Sequence, residues 1–449
     1  MTPEDLASVG DRIVEQAGPG EQVEAVLTWS ADTEVRVHQG EVEHYVASSA
    51  VGVGVRVVRD GRQGLSWSGV LDDDALTACL AEARDNATFG SVDEFAGLAV
   101  PDGVEVPTLE LYDDRIESVT AEQRIALATE LEHAVLAADP RMVGVEAADY
   151  ADTRSVVAIV SSTGIRRTST ESSAYVGTWA LADDDGDVTT GFGYSVARAA
   201  AGLDPMVAAR DAVARCVAQF GARKVAGGRS TVVFDPYVTS QFLGVVAELL
   251  SGEAAIRGRT PFVDRIGELV AAPSVTICDD PLDVLAPTAS DIDGEGLACR
   301  PVPLVSDGVL DGFLHNAYTA RVAGVDSTAS ASRGSHRAGP GVGPRSLRLA
   351  PGSGGLTDVV ARVGDGVLVR EIAGLHSGVN PTSGDLSVGF DGQLIRGGVL
   401  GEPVREMTIA STIPRMLLDV VEIGDDLERF PWEATGLTLA IADVTVSGS

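Results

Sequence analysis

Hydrophobic and polar residues alternate through much of the first third of the chain. The alternation is clearest in five segments, at 23–30, 33–39, 41–48, 51–60 and 64–69. Short polar stretches with the sequences SAD, QG and RDGRQG separate these segments, and such stretches are typical of turns. We therefore predict an antiparallel meander of five strands.

Four segments with a helical hydrophobic period accompany this meander. They cover residues 2–16, 73–88, 117–139 and 205–220. Three of these helices have a candidate N-cap, namely Thr2, Thr120 (with Gln123 as a capping box) and Asp204. Further strands are predicted at 153–160 and 165–181, which gives this half a mixed sheet-and-helix composition.

The stretch KVAGGRS at 224–230 predicts a junction between two domains, 1–223 and 229–449. After it, a strand runs into a helix that Asp235 caps and Gly252 ends. The remainder is strand-rich, with one strand predicted at GFLHNAY (312–318) and two helices near 356–362 and 414–421. We expect an α+β protein with an N-terminal antiparallel sheet with helices and a C-terminal strand-rich domain that is barrel- or sandwich-like.

Residues 324–343 are rich in glycine and serine and too numerous for a tight turn. We expect a functional loop, a disordered loop, or both.

The composition narrows the function classes. Of 449 residues, 45% are hydrophobic, and no apolar run reaches the 18 or more residues that cross a bilayer. The first residues are acidic and amphipathic, unlike a signal peptide, so we expect a soluble, cytoplasmic protein without membrane contact. The formal net charge of −33 argues against binding to nucleic acid phosphates.

The four cysteines lie far apart and form no CxxC pair, which argues against a disulfide framework or a cysteine-rich zinc site. Cys79 and Cys216 fall on hydrophobic stripes, and we predict that both are core residues.

Common catalytic motifs are missing from the sequence. There is no phosphate-binding GxxxxGK[ST] loop and no GxSxG nucleophile elbow, and GLHSG (374–378) only approaches the latter. HExxH and HExxxH are also missing, and none of the six histidines has another at i+3, i+4 or i+5. We expect His38, His44 and His133 to be exposed, and the acidic runs at 72–74 and 183–187 to be solvated turns.

Several segments of the second half occur together in one order. They are DGVLDGFLHNAYTARVAG (307–324), GPRSLRLAPGSGGLTDVV (343–360) and HSGVNPTSGDLSVGFDGQLIRGGVLGEPVREMTIASTIPRMLLDVVEIGDDL (376–427). Together with residues 34–68, this order resembles the TldD/PmbA family over roughly residues 20–430. The resemblance implies a cytosolic zinc-dependent peptidase built from TldD-type and TldE/PmbA-type subunits.

In TldD-type chains, the resemblance implies, an HExxxH helix and a cysteine near the C-terminus bind zinc. The corresponding helix here follows Asp235 and reads GVVAEL from Gly244 to Leu249, so that Gly244, Val245, Glu248 and Leu249 occupy degenerate zinc-helix positions. Glu248 is the only ionisable residue of that stretch, and residues 425–449 contain no cysteine. We therefore expect no catalytic residue, no metal ligand and no cofactor in this chain, with zinc carried by a TldD-type partner.

Peptide contacts are predicted at the residues of the family-like segment that carry hydrogen-bonding groups: His376, Ser377, Asn380 and Asp385. The same residues are also good turn formers, and the sequence favours neither role.

The leading hypothesis is a non-catalytic TldE/PmbA-type subunit that helps a TldD-type partner bind and admit unfolded or precursor peptides for proteolysis; a homo-oligomer is left open. One alternative is a self-sufficient metallopeptidase that uses His315, His336, His376 or Glu248 with a metal. Another is a non-enzymatic binding or modulator protein.

Overall fold

The structure, a computed structural model, describes residues 1–448 and, for His376, only the backbone. Its first half is built on one six-stranded sheet, called the N-terminal sheet here. The strands are β1 (Glu21–His38), β2 (Glu41–Arg59), β3 (Arg62–Ser68), β4 (Met142–Ser161), β5 (Arg166–Asp184) and β6 (Asp187–Ala197). Their order is β3-β2-β1-β4-β5-β6, and every neighbouring pair is antiparallel.

Four helices pack on one face of the N-terminal sheet. They are α1 (Pro3–Val14), α2 (Asp73–Phe89), α3 (Ala121–Ala138) and α4 (Pro205–Val217). The predicted N-caps are confirmed, since Thr2 accepts from Asp5 N at 3.1 Å, Thr120 from Gln123 N at 3.3 Å and Asp204 from Met206 N at 2.9 Å. Cys79 and Cys216 are buried in the cores beneath α2 and α4, as predicted.

The prediction of a turn at the stretch SAD was wrong. Residues 30–32 continue β1 and pair with Ser48, Ser49 and Ala50 of β2, and β2 is continuous there, so the meander has two long strands and one short strand instead of five strands. Asp32 accepts hydrogen bonds from the hydroxyls of Ser30 at 2.8 Å and of Thr153 on the neighbouring strand at 2.9 Å. Because these partners lie on the sheet, the polar side chains fit an extended strand.

Strand β6 was not predicted, because glycines interrupt its alternation. A Cβ at Gly191 would lie 2.3 Å from Ala212 O, and one at Gly193 would lie 1.9 Å from Ala208 O. These glycines therefore let α4 approach the sheet closely. The acidic run at 183–187 forms the tight turn between β5 and β6, with positive φ at Asp185 and Gly186.

The second half contains twelve strands and six helices among the described residues. The helices are α5 (Pro236–Leu249), α6 (Gly252–Ile256), α7 (Ala317–Ala323), α8 (Leu356–Val363), α9 (Leu375–Gly378) and α10 (Ile413–Leu418). The strands are β7 (Gly228–Phe234), β8 (Ile277–Asp279), β9 (Val302–Ser306), β10 (Val309–Leu310), β11 (Ala331–Ser332), β12 (Gly341–Val342), β13 (Leu347–Leu349), β14 (Gly366–Ala373), β15 (Asp385–Arg396), β16 (Val399–Thr412), β17 (Val420–Ile423) and β18 (Leu439–Ser447).

Five of these strands close into a barrel. The order β16-β15-β14-β7-β18 ends where it began, because β16 also pairs with β18 from Thr408–Ser447 to Ala410–Thr445. A separate small sheet has the order β10-β9-β8-β13. The α+β class with an N-terminal antiparallel sheet is thus confirmed, and the C-terminal half contains a five-stranded barrel. The division into domains 1–223 and 229–449 stays a prediction.

In the second half, one predicted element and the ends of two predicted helices differ from the structure. GFLHNAY is not a strand, because Asn316 accepts a hydrogen bond from Thr319 N at 2.8 Å and caps α7. The helix near 414–421 ends at Leu418, and its last predicted residues begin β17. Helix α5 ends at Leu249 rather than at Gly252, which instead opens α6.

Residues 324–343, called the long loop here, fold back onto the N-terminal sheet. His336 Nδ1 lies 2.8 Å from Thr28 Oγ1 on β1. The His336 backbone oxygen packs directly against Gly54 of β2, where an added Cβ would be only 1.7 Å from it. The glycines of VGVGV on β2 therefore leave room for the loop. The loop is an ordered contact between the two halves.

Beside the long loop, buried charges join the two halves in what we call the ionic seam: Glu24, Arg56, Glu295 and Arg333. Arg56 donates to Glu24 through Nε and Nη2, both at 3.1 Å, and lies 3.4 Å from Glu295. Arg333 donates to Glu24 as well. Burial opposes ionisation of Glu24, but the two guanidinium groups outweigh it and lower its pKa.

No helix among the described residues is long and apolar enough to cross a membrane.

Candidate functional site

Helix α5 forms one wall of the candidate site. Asp235 begins the helix by accepting from Val238 N at 2.9 Å, as predicted, and Pro236 follows in the first turn. Val238, Phe242, Val246 and Leu249 are buried in the core. The opposite face, which carries Gln241, Gly244, Val245 and Glu248 at helical spacing, borders an open space.

This space is a cleft of about 650 Å³, called the cleft below. Its other walls come from distant parts of the chain. They are Ser332, Val342 and Gly343 of the long loop with the following Pro344, the segment Leu375, Val379 and Pro381, and the segment Trp432, Glu433 and Ala434. The cleft is large enough for several residues of an extended peptide or for a small ligand.

All four degenerate zinc-helix positions lie at the cleft. Gly244, Val245, Glu248 and Leu249 are among its lining residues, although Leu249 is 1% exposed. Glycine, valine and leucine side chains carry no metal-binding atom. Of these four positions, only Glu248 offers oxygen atoms to a ligand in the cleft.

The predicted peptide-contact residues lie next to the cleft, but their immediate neighbours line it. Asn380 Oδ1 accepts from Thr382 N at 3.0 Å, and Asp385 Oδ2 accepts from Ser383 Oγ at 2.6 Å. Ser377, Asn380 and Asp385 are exposed. The side chain of His376 lies outside the described part of the chain. These hydrogen bonds shape the turn that carries Val379 and Pro381 to the cleft, and direct peptide contact by these residues stays a prediction.

Trp432 is the largest side chain of the cleft, and its position is fixed. Its indole nitrogen donates to Ser240 Oγ on α5 at 3.1 Å. Its ring stacks on Phe430 with centroids 4.9 Å apart and meets Tyr237 edge-on at 5.8 Å. A tryptophan held in this way offers a rigid apolar surface to a ligand.

The aromatic contacts continue from Trp432 onto the N-terminal sheet. Tyr194 lies 6.2 Å from Trp432, and Phe192 lies 4.6 Å from Tyr237, measured between ring centroids. The Arg215 guanidinium packs over Phe192 at 4.3 Å and over Tyr237 at 4.8 Å. We call these contacts the aromatic seam; it ties one end of the cleft to the sheet.

The histidines do not converge at the cleft where they are described. His315 is buried, with Nδ1 3.1 Å from Thr319 Oγ1, and burial lowers its pKa. His336 contacts the N-terminal sheet, His44 and His133 are exposed as predicted, and His38 is half-buried instead. Within residues 1–448, leaving the His376 side chain aside, no group of three or more His, Cys, Asp or Glu residues is placed to hold a metal ion.

Sequence reasoning identified α5 and the segment 376–385 but missed other contributors to the cleft, among them Gln241, Trp432 and Glu433. The last two lie almost two hundred residues from α5 in sequence. No periodicity or motif links such distant residues, because only the fold brings them together. The sequence offered one indication of Trp432, namely that tryptophan is rare in this chain, with four among 449 residues.

Comparison with known proteins relates this architecture to one family. Three consecutive family models match the chain in order. They are PmbA/TldA metallopeptidase domain 1 at residues 23–87, the central domain at 114–220 and the C-terminal domain at 227–448. The metalloprotease PmbA of Escherichia coli O157:H7 is 25% identical over 415 residues, which is 92% of this chain and 89% of that protein.

Solved structures share the fold over nearly the full length. A Thermotoga maritima protein described as a candidate modulator of a DNA gyrase aligns with a TM-score of 0.89 and 23% identity, covering 98% of this chain and 99% of that one. TldE from Thermococcus kodakarensis aligns with a TM-score of 0.88 and 20% identity, covering 99% of each chain. With all three family domains matched in order and the relatives aligned end to end, the chain belongs to the PmbA/TldD family of metallopeptidase-like proteins.

Proposed function

We propose that this chain is the non-catalytic, TldE/PmbA-type subunit of a two-subunit zinc-dependent peptidase. A TldD-type partner carries the zinc and hydrolyses the peptide bond. The chain described here helps to bind unfolded or precursor peptides and to admit them to the shared site.

One observation carries the proposal: the residues that α5 presents to the cleft. A zinc-binding helix needs two imidazoles on one face and a carboxylate beside them. The corresponding positions here carry Gly244, Val245 and Leu249, with Glu248 as the only carboxylate among them. In the proposed subunit, the position that holds a metal in a TldD-type chain is a cleft lined largely by small and apolar groups.

The remaining walls suit a peptide. Val245, Val342, Leu375 and Val379 provide apolar surface, and Trp432 adds a fixed aromatic ring. Apolar walls bind apolar side chains of many kinds, and the few polar groups among them set what specificity there is. Such binding fits a subunit that receives unfolded chains.

An open strand edge is available for a partner or a peptide. Residues 41–50 of β2 pair with β1 on one side, whereas β3 joins the other side of β2 only from Val53 onward. All ten residues are exposed, including Val42, Tyr45 and Val46. Unpaired strand edges recruit another strand, so this edge supports assembly or strand addition.

The test is co-expression with a zinc-carrying TldD-type chain and measurement of peptide hydrolysis. We expect the complex to cleave an unfolded, fluorescently labelled peptide at least about tenfold faster than the partner alone, since correct positioning of substrate lowers the barrier. Val245→Arg, which fills the cleft, is expected to remove most of this gain. Val421→Arg is the matched control, because Val421 is 51% exposed on β17.

Two results would overturn the proposal. The first is a hydrolysis rate that does not change when this chain is added to a partner with which it co-purifies. The second is stoichiometric, chelator-sensitive zinc in the purified chain together with peptidase activity without a partner, which would indicate a self-sufficient metallopeptidase.

A further inference from the structure

The cleft has a one-sided charge. Among its described lining residues, Glu248 and Glu433 are the only ionisable ones, and both residues are exposed. Glu248 lies on α5, and Glu433 lies beside Trp432 on the facing wall. A ligand in the cleft therefore meets negative charge from two walls.

Neither carboxylate is neutralised by the part of the chain that the structure describes. Among the described residues, no lysine, arginine or histidine side chain lies within 4.0 Å of the Glu248 or Glu433 carboxylate, although twenty-eight such ion pairs occur elsewhere in that part of the chain. Neither side chain accepts a described hydrogen bond, whereas the carboxylates of Glu24 and Asp235 do. These two negative charges are thus available to a ligand.

Other groups at the cleft also favour a cation. The oxygen of the Gln241 side-chain amide is buried at the cleft wall without a hydrogen-bond partner in the described structure. Trp432 presents an indole ring, and the faces of aromatic rings attract guanidinium and ammonium groups. Two carboxylates and one indole ring can therefore attract a positively charged ligand, and the negative end of the buried Gln241 amide dipole adds to this attraction.

We propose that the cleft selects peptide segments that carry a positive charge among apolar residues. The charge is an arginine or lysine side chain or the ammonium group of a peptide N-terminus. This inference rests on the proposed function, because it names the peptides that the same cleft receives. Acidic segments are disfavoured, since Glu248 and Glu433 would repel a third carboxylate.

The expected affinity ratio between a cationic and a neutral peptide can be estimated from the Coulomb attraction of the two carboxylates. A unit charge a few ångströms from an exposed carboxylate gains roughly a factor of five in affinity in water-like surroundings. Two carboxylates then give roughly a 10- to 30-fold preference for a cationic over a neutral peptide at low salt. Exposed charges are screened by salt, so at about 1 M, where the screening length is about 3 Å, most of the preference should vanish.

The experiment compares labelled nonapeptides that differ only in charge. Three carry acetylated and amidated termini and a central arginine, glutamine or glutamate in the same apolar sequence. A fourth has the central glutamine and a free N-terminal ammonium group. Fluorescence anisotropy with the full chain at low and at high salt is expected to rank the arginine peptide above glutamine and glutamine above glutamate. A gain with the fourth peptide alone would assign the site to N-termini.

Paired variants separate the cleft from the general negative charge of the chain. Glu248→Gln with Glu433→Gln is expected to reduce the arginine-over-glutamine ratio to within about twofold of one, because the attracting charges are gone. The control, Glu15→Gln with Glu130→Gln, removes two exposed carboxylates from α1's C-terminus and α3. It should leave the ratio unchanged.

The outcome distinguishes this inference from the proposed function. Equal binding of all four peptides, or an equal loss of preference in both paired variants, would overturn charge selection by the cleft. In either case the proposed function survives if the chain still accelerates its partner. Loss of that acceleration in the co-expression assay would overturn the proposed function itself.

Discussion

The ionic seam and the cleft use glutamate in opposite ways. In the seam, Glu24 is 2% exposed and is held by Arg56 and Arg333, which lower its pKa despite its burial. In the cleft, Glu248 is exposed and has no described cationic partner. A buried charge has lost its hydrating water, so the fold must supply an oppositely charged partner. An exposed charge stays hydrated without a partner and remains free to bind a ligand. The comparison separates carboxylates that stabilise this protein from those available for function.

The largest expected effect comes from breaking the ionic seam. Arg56→Met leaves Glu24 with one partner and removes the guanidinium beside Glu295, which is 1% exposed. Removing one partner of a buried ion pair costs about 3–5 kcal/mol, so the free energy of unfolding should fall by that amount. Urea denaturation measures it.

Arg36→Met is the control for Arg56→Met. It removes a pair with Asp149 in which the side chains are 50% and 38% exposed. Exposed pairs contribute about 0–1 kcal/mol, so little stability should be lost. Equal losses in the two variants would contradict the distinction between buried and exposed charges.

A smaller effect is expected where the long loop meets β2. Gly54→Ala places a Cβ 1.7 Å from the His336 backbone oxygen, so the loop must move. Overpacking of this kind costs about 1–3 kcal/mol. Limited proteolysis should then cut faster within residues 324–343, and urea denaturation should show the loss of stability.

The control for the loop is Gly144→Ala on β4, where a Cβ would meet no atom within 4 Å. Its proteolysis pattern should match that of the unchanged protein. A Gly54→Ala variant that is cut no faster within the loop would show that the contact with β2 does not hold the loop in place.

The smallest effect on stability is expected at the cleft. Glu248→Gln removes an exposed carboxylate without a described ion-pair partner, so the free energy of unfolding should change by less than about 0.5 kcal/mol. Denaturation of this variant beside Arg56→Met, under one set of conditions, measures both sides of the comparison. A loss of several kcal/mol at Glu248 would place it among the structural carboxylates.

The sequence pattern predicted the starts of helices well, because the hydrogen bonds that form there join residues close together in sequence. The caps Thr2, Thr120 and Asp235 were predicted because each satisfies backbone groups only two or three residues away. The strand β6 and the continuity of β1 were missed, since Gly193 and Asp32 depend on α4 and on Thr153, which lie on other elements.

The sequence by itself determined the α+β composition, the family resemblance and the lack of histidine and cysteine in α5, because each is a property of residue identity and order along the chain. Only the tertiary structure decided that Trp432 and Glu433 face α5, that the barrel closes through β16 and β18, and that the long loop rests on Gly54. These contacts join residues tens to hundreds of positions apart. Their free energy depends on packing and burial, which no local pattern of hydrophobic and polar residues specifies.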